Sequence, residues 1–335
     1  MPPGKLRSWQ NIYPNKKTGK LTKPIFQVRT RPILFEMIIQ NQKSSVYWKD
    51  PMIDIHTHPI MIKEILEKDP NLDRAIQDVF GFHFPPQPLE CFLLEMDEAG
   101  IEKSVLLPLD CTTAHGCQIF RNEQVAELVN QTPRFIGFAS VDPNCEDAPR
   151  QLERAVKELG LQGLKLNPAL QRFYPDSLER AYPVYQACTE LDIPVMIHCG
   201  MSWAPKGLAN YAQPLLLEEA IQAFPTLNFI LAHFGWPWVQ EATMLAVKYP
   251  NVYLDTAVLY SGMPQDALQH VLVEQVGLNV VERSLFNKVL FGSDYPRVDI
   301  RRSARGLQSL GLSPSTEKAV MGGNANRLLK LARVS

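Results

Sequence analysis

Long apolar runs are missing from this chain. No stretch approaches about eighteen consecutive apolar residues, so no membrane-spanning helix is expected. The amino terminus lacks the apolar core of a signal peptide, and the cytoplasm is the expected compartment. Net charge is also close to absent, since 34 basic residues meet 35 acidic ones, leaving −1. That balance gives the surface as a whole no reason to bind nucleic acid or an anionic membrane. Cysteine is thin and scattered: Cys91, Cys111, Cys117, Cys145, Cys188 and Cys199 form no CxxC pair, which argues against a disulfide framework and for reduced thiols. A glycine-rich phosphate turn is missing as well, because the first strongly apolar run, from Met52, is followed by "HTHPI".

What is present is enough for a large core. The 335 residues are 45% hydrophobic and 21% charged, which suits one large α/β domain or two ordinary ones. Residues 1–50 stand apart. Between Met1 and Phe35 lie Lys5, Arg7, Lys16, Lys17, Lys20, Lys23, Arg29 and Arg31 with no acidic residue. We expect a basic N-terminal extension, partly disordered or adding strands to the barrel, with a homodimer contact or an acidic partner as further roles. Residues 51–335 form the second region.

From Met52 the chain acquires a rhythm. Short apolar runs recur at Met52–Ile55, Ser104–Leu107, Phe135–Ala139, Gly163–Leu166, Pro194–Ile197, Asn228–Ala232, Val252–Leu254 and Val289–Phe291. Helically patterned stretches such as "LECFLLEMDEAG" and "EDAPRQLERAVKELG" separate them, closed by glycine as helix ends often are. Eight apolar strands alternating with helices predict a parallel sheet buried on both faces, closed as a distorted (β/α)8 TIM barrel. An open doubly wound sheet is the alternative, weakened by the missing phosphate turn.

The polar residues fall at the ends of those strands. His56 and His58 follow the first, Lys165 lies on the fourth, His198 and His233 close the fifth and sixth, and Asp294 follows the eighth. Carboxyl ends of barrel strands converge on one rim, where the active sites of this architecture lie. Residues i and i+2 of an extended chain point the same way, so His56 and His58 can share one ion. A lone histidine at a strand end is more often structural than a ligand, but four of the seven histidines at one rim with a carboxylate beside them make a metal centre the expectation. His270 reads as a surface residue. His83 in "FGFHFPPQP" and His115 in "DCTTAHGC" lie in loops able to meet a substrate.

Five motifs, "DIHTH", "GLKLNP", "VMIHCG", "ILAHFG" and "LFGSDYP", in that order, resemble the amidohydrolase superfamily, in particular its amidohydrolase-related branch with aminocarboxymuconate-semialdehyde decarboxylase. The resemblance spans about residues 52 to 332. It implies one divalent metal, zinc or alternatively manganese, held by His56, His58, His198 and Asp294, with His233 catalytic beside it. Lys165 would bind an anionic substrate or, as the less favoured reading, bridge to a second metal. Asp294 would also act in catalysis, passing a proton between water and leaving group.

A metal-dependent hydrolase of a small carbonyl compound is the leading functional expectation. The alternative is a nonoxidative decarboxylase of an aromatic or muconate-type acid, and a minor one is a non-catalytic subunit that binds metal or ligand. Aromatic and cationic residues in the rim loops (Arg172, Phe173, Tyr174, Trp203, Trp236, Trp238 and Arg297) are candidate contacts for a planar acid. Cys199 reads as a small buried residue rather than a nucleophile.

Overall fold

The computed structural model describes residues 52–81, 83–257 and 263–331; residues 1–50, and with them the expected basic extension, lie outside this range. Each of the eight expected strands is present. They are β1 (Met52–Thr57), β2 (Ile101–Leu106), β5 (Phe135–Gly137), β6 (Leu164–Leu166), β7 (Val195–Ile197), β8 (Phe229–Leu231), β9 (Val252–Asp255) and β10 (Val289–Leu290). β3 (Leu109–Cys111) and β4 (Cys117–Ile119) form an antiparallel hairpin after β2 that the apolar rhythm does not reveal. The helix Pro70–Phe80 was likewise not anticipated. No helix among the described residues is long and apolar enough to cross a membrane.

The parallel strands run in the order β1-β2-β5 and β10-β9-β8-β7-β6. Backbone hydrogen bonds join the two groups at both seams. Ala139 N donates to Gly163 O and Lys165 N to Ala139 O, each at 2.7 Å, which ties the end of β5 to β6. Ile55 N donates to Phe291 O and Asp294 N to His56 O, each at 2.9 Å, which ties β1 to the end of β10. The ring is thereby closed.

Alternation along each strand divides the apolar residues between two cores. Ile53, Ile55, Val105, Ile136, Phe138, Met196, Ile230 and Leu290 fill the barrel, and Ala325, Leu328 and Leu329 from the last helix join them. The other parity, including Leu106, Leu164, Leu166, Val195, Ile197, Phe229 and Leu254, packs outward against the helices. A strand flanked on both faces in this way has to be apolar throughout, which is why the runs were so legible.

β1 breaks the alternation once. Asp54 pairs with Ser104 but Thr57 with Leu106, so β1 spends one more residue than β2 over this interval, as in a β-bulge. The extra residue shifts the phase. Ile55 faces the barrel interior, and His56 and His58 then face it too, instead of falling with Asp54 on the other side.

The loops after β7 and β8 are stitched together at Gly200. Gly200 N donates to Ala212 O and Met201 N to Trp236 O, both at 2.7 Å. Gly200 has φ +92°, and a Cβ there would lie 2.1 Å from Trp236 O. Gly200→Ala is therefore expected to cost roughly 2–4 kcal/mol of stability, combining backbone strain with a clash against an immobile carbonyl. Urea denaturation of the two proteins measures it, and a loss below about 0.5 kcal/mol would show that the loops can separate.

Candidate metal centre

One cavity at the carboxyl ends of the strands gathers the side chains expected there. His56, His58, Lys165, His198, His233 and Asp294 line it, with Trp203 and Arg297 toward its mouth and Ile60, Phe80, Leu109 and Leu170 as apolar wall.

The protonation of each imidazole follows from its partners. His58 Nδ1 lies 2.9 Å from Leu107 O, and a carbonyl only accepts, so Nδ1 carries a proton and, in the neutral ring, Nε2 keeps its lone pair. His56 Nδ1 lies 2.8 Å from Asp255 Oδ2 and is protonated for the same reason. His233 Nδ1 donates to Ala257 O at 3.0 Å, so its Nε2 accepts from His198 Nδ1 at 3.1 Å. His198 Nε2 is then left as a buried lone pair with no partner among the described residues.

Three Nε2 lone pairs therefore belong to one cavity. Two of them face a carboxylate oxygen: Asp294 Oδ1 lies 3.5 Å from His56 Nε2 and 3.4 Å from His58 Nε2. Lone pair against lone pair repels unless a cation or a proton stands between. Burial, reinforced by the Lys165 charge, holds the His56 imidazole well below its ordinary pKa, and burial does the same to His198 and pushes His233 down to about 4. Extra protons on these rings are thus disfavoured. The Asp294 carboxyl, which burial alone would push up, is held well below the usual carboxylate range by its contacts with the neighbouring histidines. Neutral imidazoles and an ionised carboxylate are satisfied together by a divalent cation, so the donor set fits one. His56, His58, His198 and Asp294 are the groups able to hold it.

The backbone is shaped to present these groups. His233 (φ +58°) and Asp294 (φ +64°) both adopt the left-handed conformation, unusual outside glycine and retained where surroundings impose it. Asp294 is anchored by its own N–H to His56 O, and Arg297 Nε stands 3.4 Å from its Oδ2. The Arg297 guanidinium in turn lies 6.0 Å from the Trp203 ring centre.

Asp255 is the residue that sequence reasoning missed. It closes β9, is fully buried, and grips both His56 Nδ1 and, at 2.7 Å, the backbone N–H of His233. Its signal was available, since it stands at a strand's carboxyl end as His198 does. His56, His233 and Asp255 also lie close enough to form a second cluster, but Asp255 is committed to hydrogen bonds that orient the rings. His233 likewise has both ring nitrogens engaged, so its contact with the centre runs through His198.

Several other rim candidates do not reach the cavity. His83 is half exposed beside Asp73, His115 ends the short helix Thr112–His115 without lining the cavity, and His270 is exposed beside Glu274, as expected of a surface residue. Phe173 and Trp236 pack into the helix-side core, Tyr174 rests on Tyr211, and neither Arg172 nor Trp238 lines the cavity. Cys199 is buried and burial pushes its thiol well up, which bears out a packing role.

Comparison with known proteins adds independent findings. A family model described as Amidohydrolase matches residues 53–331. Gamma-resorcylate decarboxylase from Polaromonas sp. (strain JS666) is 27% identical over 288 residues, covering 71% of this chain and 86% of that protein. Among solved structures, a TIM-barrel protein from Bordetella bronchiseptica aligns with TM-score 0.67 and 25% identity over 84% of this chain and 99% of that one. A dihydroxybenzoic acid decarboxylase from Polaromonas sp. JS666, solved with bound manganese and the inhibitor 2-nitroresorcinol, aligns with TM-score 0.56 and 22% identity over 84% and 97% of the two chains.

Two outcomes are expected from this geometry. Asp255→Asn removes the acceptor that fixes the His56 tautomer and should weaken binding of a divalent cation by about 10- to 100-fold. Metal titration followed by calorimetry reads this, and unchanged affinity would show that His56 is oriented by other means. The second concerns Asp54, which accepts from Ser293 Oγ at 2.5 Å and is pushed up to about 7 by burial. Between pH 4 and 7 the unfolded chain has lost this proton while the folded chain keeps it, so the unfolded state binds fewer protons and stability falls as pH rises. In metal-free protein, wild type should thus lose up to about 4 kcal/mol relative to Asp54→Asn across that window, measured by urea denaturation at each pH. A constant difference would place Asp54 at an ordinary pKa.

Proposed function

The chain belongs to the amidohydrolase family, and on that footing we propose that it is a metal-dependent nonoxidative decarboxylase of an aromatic or muconate-type acid. The observation that carries the proposal is the charge lining the cavity: among the described residues, two cations, Lys165 and Arg297, stand against a single carboxylate, Asp294, beside apolar side chains. Hydrolysis of a small carbonyl compound, an aromatic or unsaturated acid among the candidates, was the leading expectation from sequence, and the reaction by itself does not call for two such cations. An acid substrate does. The likeness to a curated decarboxylase over most of both chains supports the same choice.

A divalent cation held by His56, His58, His198 and Asp294, with manganese favoured over zinc because a similar structure holds it, would supply positive charge to fix the substrate's carboxylate and a neighbouring oxygen. The protein's own groups do the rest. Asp294, ionised and braced between histidines and Arg297, can accept the proton of a substrate hydroxyl and return it to the ring carbon. As that carbon gains its proton the bond to the carboxylate breaks, its electron pair stays on the ring, and CO2 leaves. Solvent replaces the hydroxyl proton, so one proton is consumed overall. His233 braces His198 throughout, and Ile60, Phe80, Leu109 and Leu170 keep water from the carbon that transiently bears charge.

Lys165 is 2% exposed, and burial pushes its ammonium down to about 8 while it lies 3.3 Å from His56 Nε2. It stays mostly charged at neutral pH and serves an anion better than it would serve a second metal.

Incubation of manganese-loaded protein with a panel of hydroxybenzoates in D2O should release CO2 and place deuterium at the vacated ring position. Asp294→Asn should lower the rate by about 10²- to 10⁴-fold. A panel of esters, lactones and β-diketones run in H2¹⁸O covers the opposite case: ¹⁸O in an organic product with no CO2 from any acid would restore hydrolysis.

A further inference from the structure

Asp294 reaches the metal centre from a backbone shape that does not hold itself. Its φ of +64° lies in the left-handed region, which a residue with a side chain keeps only where its surroundings impose it. The hydrogen bonds along this turn show what imposes it. Gly292 N donates to Thr256 Oγ1 at 3.0 Å, Ser293 N to Asp54 Oδ1 at 3.0 Å, Asp294 N to His56 O at 2.9 Å and Tyr295 N to Ser293 Oγ at 3.0 Å. Four consecutive N–H groups are thus committed.

Two of the four depend on one pair of side chains. Ser293 Oγ donates to Asp54 Oδ2 at 2.5 Å, so the hydroxyl that accepts from Tyr295 N is itself fixed by Asp54. Asp54 Oδ1 also accepts from His56 N at 3.1 Å. One carboxyl therefore grips β1 at His56 and the segment after β10 at Ser293, the first a candidate ligand and the second the neighbour of one. Asp54 and Ser293 are almost completely buried, and neither lines the cavity. What they can set is a distance. Asp294 Oδ1 lies 3.5 Å from His56 Nε2 and 3.4 Å from His58 Nε2, the gap that one cation has to bridge.

We propose that Asp54 and Ser293 are positioning residues, a clamp that holds the Asp294 turn against β1 and so sets the separation of the Asp294 carboxylate from His56 and His58. This rests on the reading of the cavity as a cation site, which the proposed function shares, and it is independent of the loss of CO2.

The probe is manganese, titrated by calorimetry into wild type, Ser293→Ala, Asp54→Asn and Leu152→Ala. Ser293→Ala removes both hydrogen bonds of the hydroxyl. Asp54→Asn keeps the shape of the side chain but presents a donor where Ser293 Oγ now finds an acceptor. Each should weaken manganese binding by about 10- to 100-fold. Leu152 is buried on the helix side and outside the cavity lining, so its truncation destabilises the fold without touching the clamp and should leave the affinity within about twofold. The manganese EPR spectrum should change in the first two variants and not in the third. Unchanged affinity in Ser293→Ala or in Asp54→Asn would overturn the clamp, and where one of them fails to fold the other decides. An equal loss in Leu152→Ala would overturn it too, since affinity would then report only a loosened fold. Wild type that takes up no manganese would overturn the cation site and the clamp together, whereas tight manganese binding without turnover of any acid would strike the decarboxylase reading alone.

Discussion

Three imidazole Nδ1–H groups are tied to acceptors in the barrel wall: His56 to Asp255, His58 to Leu107 O, and His198 to His233, which is itself tied to Ala257 O. Each tie consumes the single proton of a neutral ring and so dictates that the other nitrogen is a lone pair. The acceptors belong to β9, to the segments following β2 and β9, and to the His233 turn. The chemistry of the rim thus depends on ring closure, because strands that drifted apart would release the protons and scramble the tautomers. Closure in turn is recorded at the rim, where Asp294 takes its position from a backbone bond to His56 O.

Much of this was legible in the sequence, for a physical reason. A parallel strand covered on both faces leaves an unbroken apolar run, and a functional residue at its end stands out against that run. His56, His58, Lys165, His198, His233 and Asp294 were all found this way and all line one cavity. Asp255 closes an equally apolar run, yet as a single acidic residue ahead of a loop it looked ordinary. Its importance comes from a hydrogen bond across 199 positions. The β3/β4 hairpin and the Pro70–Phe80 helix escaped because neither carries a strong period. The loop aromatics failed differently: sequence position says that Trp236 and Trp238 follow β8, but not which way they turn.

The division between hydrolysis and decarboxylation could not be read from the ligand motifs, which would serve either reaction. A cation with open positions can activate water or can hold a carboxylate. The lining is a separate source of information, where Lys165, Asn167 and Arg297 carry donors suited to an anion beside the apolar side chains of Ile60, Phe80, Leu109 and Leu170. Identical ligands with a neutral lining would point the other way. Family likeness and cavity charge are separate kinds of support, and here they favour the same chemistry.

The bulge in β1 gives the histidine pair a dependency that no motif records. "HTH" is a string of three residues, but its function requires a phase slip one step upstream, where β1 carries a residue that β2 does not match. Copied into a regular strand, the same three residues would keep their spacing and lose their address, turning both rings toward the helices. The portable unit for anyone grafting this centre onto another barrel is therefore not the pair of histidines. It is the pair together with the irregularity that aims it.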